Sequence, residues 1–159
     1  MASVWQEPIF DRTQEDVEFA IRKLSEWIAL GKPTDVYDLK GCLNVSDINR
    51  IEGNIAYLSE RLTELAYPSG AFSKKWAKDG LPSEGDINRI IDNVNKIINA
   101  FYRPRTAPSL PTTMLSYDGV NSIEKNLDLI KYLLDCMVSS FKKSGTFKSG
   151  STMFLPIRR

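Results

Sequence analysis

The chain reads as an all-α protein: a four-helix bundle-like domain of repeated, capped helices with an irregular C-terminal tail. Three observations predict this. A nine-residue phrase recurs, as Asp47–Ile55, as Asp86–Val94 and, weakened, as Gly119–Leu127. A good helix-capping residue stands three positions upstream of each copy. Apolar residues then follow in alternating steps of three and four, whereas a strand would alternate every second residue.

The capping residues are Thr13, Asn44, Ser83 and Ser116, the first ahead of a fainter copy that begins at Asp16. Three residues on come Asp16, Asp47, Asp86 and Gly119. The three aspartates resemble the acidic half of a capping box and put negative charge at the positive end of a helix dipole. The seams run Val17, Ala20, Leu24, Trp27; then Ile48, Ile51, Ile55, Leu58, Leu62, Leu65; then Ile87, Ile90, Val94, Ile97, Phe101; then Val120, Ile123, Leu127, Ile130, Leu134, Met137, Phe141. Gly31, Pro68, Pro104 and Gly145 supply the stops. Helices are therefore expected at 13–30, 44–66, 83–102 and 116–143, within a helical domain 13–144.

An arm of residues 1–12 precedes this domain, and a tail of residues 145–159 follows it. The tail has no period, carries Phe154 among its apolar residues and Arg158 and Arg159 at its end, and either docks or is disordered. The connections 32–43, 67–82 and 103–115 are longer than usual bundle links, so an up-down-up-down course is expected but not forced. Leu129, Leu133 and Cys136 widen the apolar arc of the fourth helix, which suggests a central helix or a subunit contact.

Bulk properties narrow the function classes. A chain of 159 residues, 42% hydrophobic and 26% charged, suits one soluble domain. No apolar run approaches the roughly 20 residues that cross a bilayer, and residues 1–30 lack a signal-peptide layout. The absence of histidine removes the commonest general base and zinc ligand. Cys42 and Cys136 show no CxxC spacing and are expected to be buried free thiols. Residues 1–67 carry 7 Lys/Arg and 12 Asp/Glu, while residues 68–159 carry 14 and 8, a polarity that favours head-to-tail or partner contact.

The repeated amides are Asn49 with Asn54, Asn88 with Asn93, and Asn121 with Asn126. They make either a ligand-facing ladder or joints that bond loop backbone, and the second reading is favoured. No calcium loop, phosphate loop or nucleophile elbow can be drawn, and the carboxylate pairs Glu15/Glu18 and Glu60/Glu64 fall on exposed faces. No catalytic residue, cofactor or metal set is expected. Lys74, Lys75 and Lys78 surround Trp76, but a pI near 7.7 argues against specific nucleic-acid binding. Trp5 and Phe10 either plug the bundle end or, with this basic loop and the tail residues Phe154, Arg158 and Arg159, form a partner contact.

Trp5-x-x-Pro8 with Asp11-Arg12-Thr13, followed by Leu43-Asn44-x-x-Asp47-Ile48-Asn49-Arg50-Ile51-Glu52-x-Asn54-Ile55-x-Tyr57-Leu58, resembles small helical proteins and modules of phages and prophages of Gram-positive (Firmicutes) bacteria. Such modules recur among tail- and baseplate-associated proteins. The stretch from Trp76 through Leu81-Pro82 to Asp86-Ile87-Asn88-Arg89-Ile90 is similar to the second copy in such chains. Ile91, where Glu is usual, and Gly119 and Ser122 depart from the pattern. The resemblance implies a non-enzymatic virion or tail component, assembled in the host cytoplasm. It would be present in many symmetric copies or as a homo-oligomer, would contact other tail proteins, and would need no membrane. The alternative is a phage-encoded inhibitor or adaptor that grips a host protein.

Overall fold

The computed structural model describes residues 3–32, 38–77, 80, 82–112 and 116–143. It is all-helical: α1 (Gln14–Ala29), α2 (Val45–Glu64), α3 (Glu84–Ala100) and α4 (Tyr117–Lys143), with no strand among the described residues. The four helices begin where the capping residues stand. Thr13 and Ser83 accept from the backbone N–H of Asp16 and Asp86, whose carboxylates accept back from the cap N–H groups. Ser116 accepts from Gly119, which has no carboxylate to return the bond. At Asn44 the backbone N–H donates to Asp47, while the side-chain amide donates to the carbonyls of Leu39 and Cys42.

The first two helices end earlier than proline alone would dictate. After α1, Gly31 takes φ +63°, and Lys32 and Gly31 donate back to Trp27 and Ile28. After α2, Ala66 takes φ +66°, and Tyr67 and Ala66 donate back to Leu62 and Thr63. Both are left-handed terminations that satisfy orphan carbonyls. The second stops α2 at Glu64, ahead of Pro68, and places a Cβ where glycine is the unstrained choice.

The core lies between α2, α3 and α4. Ile51, Ile90 and Ile123 occupy equivalent places in the three phrases, as do Ile55, Val94 and Leu127, and then Leu58, Ile97 and Ile130. All nine are almost wholly buried. The expected up-down-up-down course is not what forms. Arg50 near the start of α2 bonds Glu124 near the start of α4, and Arg89 near the start of α3 bonds Glu52 of α2. The three N-termini therefore lie together, and the three helices run parallel. That is why the links are long. Each must travel back along the bundle, about 30 Å for the 20 residues of α2.

The three helices share the core, so α4 is not its single centre. Leu129 and Leu133 are half-buried, Cys42 is half-buried and Cys136 is exposed, and both thiols are free. The expectation of two buried thiols fails at Cys136 because its strip of α4 faces outward. The first helix stands at the edge. Only Ala20 of α1 is buried. Its first turn is held by residues 38–43: a Cβ on Gly41 would fall 2.0 Å from the Asp16 carbonyl oxygen, so only glycine permits that approach. Lys40 adds ion pairs to Asp11 (3.1 Å) and Asp16 (3.4 Å).

Two outcomes follow from these terminations and caps. Ala66→Gly should stabilise the protein by about 0.5–1 kcal/mol in urea titration, because it relieves left-handed strain. An unchanged midpoint would show that Ala66 is unstrained. The Ser83 hydroxyl, then Lys74, hold the Asp86 carboxyl down from 3.8 to about 2. A depressed acid contributes stability above its unfolded value and loses it as pH falls through the folded value. Melting temperature should therefore fall between pH 4 and pH 2, less steeply in Asp86→Asn than in the parent.

Candidate functional site

Parallel helices leave extended connecting chain with backbone groups that no neighbouring strand can satisfy. The repeated amides meet that need. A primary amide carries one acceptor and one donor edge, like a peptide group, and so can pair with the N–H and C=O of a single strap residue. Asn54 accepts from the Gln6 N–H (2.9 Å) and donates to the Gln6 carbonyl (2.8 Å). Asn93 does the same to Phe72 (3.4 and 2.7 Å), Asn49 to Trp76 (2.8 and 3.1 Å) and Asn121 to Arg12 (3.2 and 2.8 Å). Asn126 donates to the Pro108 carbonyl (3.0 Å). Proline has no N–H, so the Asn126 Oδ1 is buried without a partner. Asn88 has no hydrogen-bond partner among the described residues.

These contacts follow a cyclic rule. The arm runs from Asn54 of α2 to Asn121 of α4. The α2–α3 strap runs from Asn93 of α3 to Asn49 of α2. The α3–α4 strap is held at Pro108 by Asn126 of α4 and lies along Ile91, Asp92 and Asn95 of α3. The chain is thus three strap-and-helix units closed into a ring, with α1 and its connection inserted between the first strap and its helix.

Ion pairs obey the same rule. Arg50 of α2 grips Glu124 of α4 through Nε (3.0 Å) and Nη2 (2.8 Å), and Arg89 of α3 grips Glu52 of α2 through both terminal nitrogens. The third pair would join position 122 of α4 to position 91 of α3. Those positions hold Ser122 and Ile91, so both members of one pair are missing together. A single survivor would be an unpaired charge next to the core. Each remaining glutamate also accepts from a strap: Glu124 from the Ile9 N–H (2.6 Å), and Glu52 from the Lys74 N–H (3.1 Å) and the Trp76 indole (3.2 Å).

Where the ring closes, the pair grows into a network. Arg12 bonds Asp47 (2.8 Å), Glu124 (3.2 Å) and the Ile9 carbonyl, and Arg50 also reaches Asp47. Burial opposes the charge on Arg50, but the bonds from Glu124 and Asp47 outweigh it and raise its pKa. Two guanidiniums and two carboxylates compensate one another, which lets Glu124 be fully buried.

The expected partner-contact residues divide. Trp76 is corrected: it is buried in the core, with its indole on Glu52, and offers no outer anchor. Lys74 is committed to Asp86 (3.0 Å) and to the Trp76 ring (4.1 Å), while Lys75 is exposed. Trp5 is half-buried against Tyr57 (5.7 Å), and Phe10 lies under the Lys125 ammonium (4.1 Å). Lys78, Phe154, Arg158 and Arg159 lie outside the described residues. Sequence reasoning missed the pairing of Arg12, Arg50, Arg89, Glu52 and Glu124. The available signal was that Glu and Arg depart from the phrase at Ile91 and Ser122, one member of a pair each.

The ring predicts a rescue. Ile91→Glu alone should destabilise by about 2–4 kcal/mol through a buried unpaired carboxylate, and adding Ser122→Arg should recover about 1–3 kcal/mol of that. Additive effects of the two substitutions in a urea double-mutant cycle would refute the cyclic correspondence. No family model, no curated protein and no solved structure matches this chain.

Proposed function

We propose that the chain is a non-enzymatic assembly protein of a bacteriophage virion, part of its tail or baseplate apparatus, and that it works by binding other polypeptides. The observation that carries this reading is where the repeated polar groups go. Asn49, Asn54, Asn93 and Asn121 are spent on strap backbone, and Glu52 and Glu124 on arginines and straps. The residues that recur are therefore joints of a rigid scaffold.

What that scaffold presents supports the same reading. The inserted α1 carries Val17, Ile21, Leu24 and Ile28 in steps of four, three and four, the spacing of a helix-packing seam. Ile21 is 60% exposed and Ile28 70%. An inserted helix with an open apolar seam fits a contact with a neighbouring chain better than a role in its own core. The phage context comes from the resemblance of the Trp5–Leu58 and Trp76–Ile90 segments to tail-associated modules.

Light scattering at micromolar concentration should give oligomers, or co-assembly with tail proteins expressed alongside. Ile21→Glu with Ile28→Glu should reduce association at least tenfold without lowering the melting temperature. A monomer at all concentrations that also fails to bind any co-expressed tail protein would count against the proposal.

A further inference from the structure

The inserted α1 joins the bundle unlike the other helices. Ala20 is its one buried residue, and close helix-on-helix packing is confined to α2, α3 and α4. Its seam runs along one flank of the Ala20 face: Val17 and Leu24 are half-buried, while Ile21 and Ile28 are open. At the N-terminal end of that seam is a cavity of about 400 Å³, lined by Val17, Gly41, Cys42, Leu43, Tyr117 and Val120. Val17 is both the first residue of the seam and a wall of the cavity, so the two form one continuous surface. The one ionic group in the lining is Arg12, which is already bonded to Asp47 and Glu124. A charged group entering the cavity would find no free counter-charge, so the cavity suits an apolar side chain.

The seam is also a palindrome. Its steps of four, three and four read the same from either end. Two copies of α1 laid antiparallel therefore set Val17 against Ile28 and Ile21 against Leu24, twice over, as a two-fold contact requires. Ile28, 70% exposed, then enters the cavity beside Val17 of the second copy. Val17 and Ile28 are eleven residues apart, about 16 Å along a helix, so both knobs and both cavities engage together. A parallel pair would leave both cavities empty and set Glu18 level with Glu18 of the other copy.

We infer that α1 is a self-complementary contact: a second copy of this chain packs its own α1 antiparallel along the seam from Val17 to Ile28, and each Ile28 fills the other copy's cavity. The inference rests on the reading of this protein as one that assembles through α1, and it names the partner and the geometry. Most of the apolar gain comes from the two knob-and-cavity contacts. Only there do walls from α1, from the 38–43 connection and from α4 stand around one incoming side chain.

The test is disulfide trapping in the full chain, in a Cys136→Ser background that leaves Cys42 as the one native thiol. Ile28→Cys puts a new thiol at the knob. Within one chain that thiol lies about 16 Å from the cavity end of α1, too far to reach Cys42. Oxidation with copper phenanthroline should therefore give a covalent dimer whose cross-linked peptides join position 28 of one copy to Cys42 of the other. Phe19→Cys, exposed on the opposite flank of α1, should give at least tenfold less dimer. In sedimentation, Ile28→Ala should weaken self-association at least tenfold with the melting temperature unchanged, since both knobs shorten at once. Cross-links from position 28 to position 28, trapping no faster than with Phe19→Cys, or unaltered association of Ile28→Ala would each overturn the inference. A monomeric chain that still recovers co-expressed tail proteins would sink this inference alone and leave the assembly reading standing.

Discussion

A buried asparagine amide paired with both backbone groups of one strap residue is the interaction on which this fold depends. Three parallel helices cannot be joined by short turns. Their connections must run the length of the bundle as extended chain, and extended chain against a helix has no ladder to join. The side-chain amide supplies a one-residue imitation of a β-bridge. Buried Asn54 and Asn93 each have both edges matched, so the cost of burying them is offset by bonds that also fix the strap's register.

Parallel packing has an electrostatic consequence as well. It brings three positive helix ends together, and the buried Asp47, Glu52 and Glu124 lie toward that end. Buried carboxylates would still be costly without arginine partners. Arg50 and Arg89 reach across to the neighbouring helix and so tie helix order to charge pairing. Arg12 brings the arm into the same network, which links the first strap to the last helix and closes the ring. The neutral third position, Ile91 with Ser122, keeps packing there without either charge.

The inserted α1 stands apart from this logic. It lies between the arm and α2, whereas the other two straps lead directly into their helices. With one buried residue, it contributes little to the core that the three units build. Its attachment depends on the close approach at Gly41 and on Lys40, both on the connection rather than on the bundle.

The sequence by itself determined the four helices, their starts and the faces that α2, α3 and α4 bury, because caps and apolar periodicity act within a few residues. Thr13, Ser83 and Ser116 cap where they stand, and Ile55, Val94 and Leu127 point inward because they sit at the same phase of one repeated phrase. Ala66 hid the end of α2, since nothing in an alanine announces a left-handed conformation. The parallel course, the strap that each asparagine holds and the arginine that each glutamate meets were decided only by tertiary structure. Those partners lie 18 to 115 residues apart, as for Asn126 with Pro108 and Glu124 with Ile9. Local spacing can show that a group needs a partner, but which partner it meets depends on how the chain folds back.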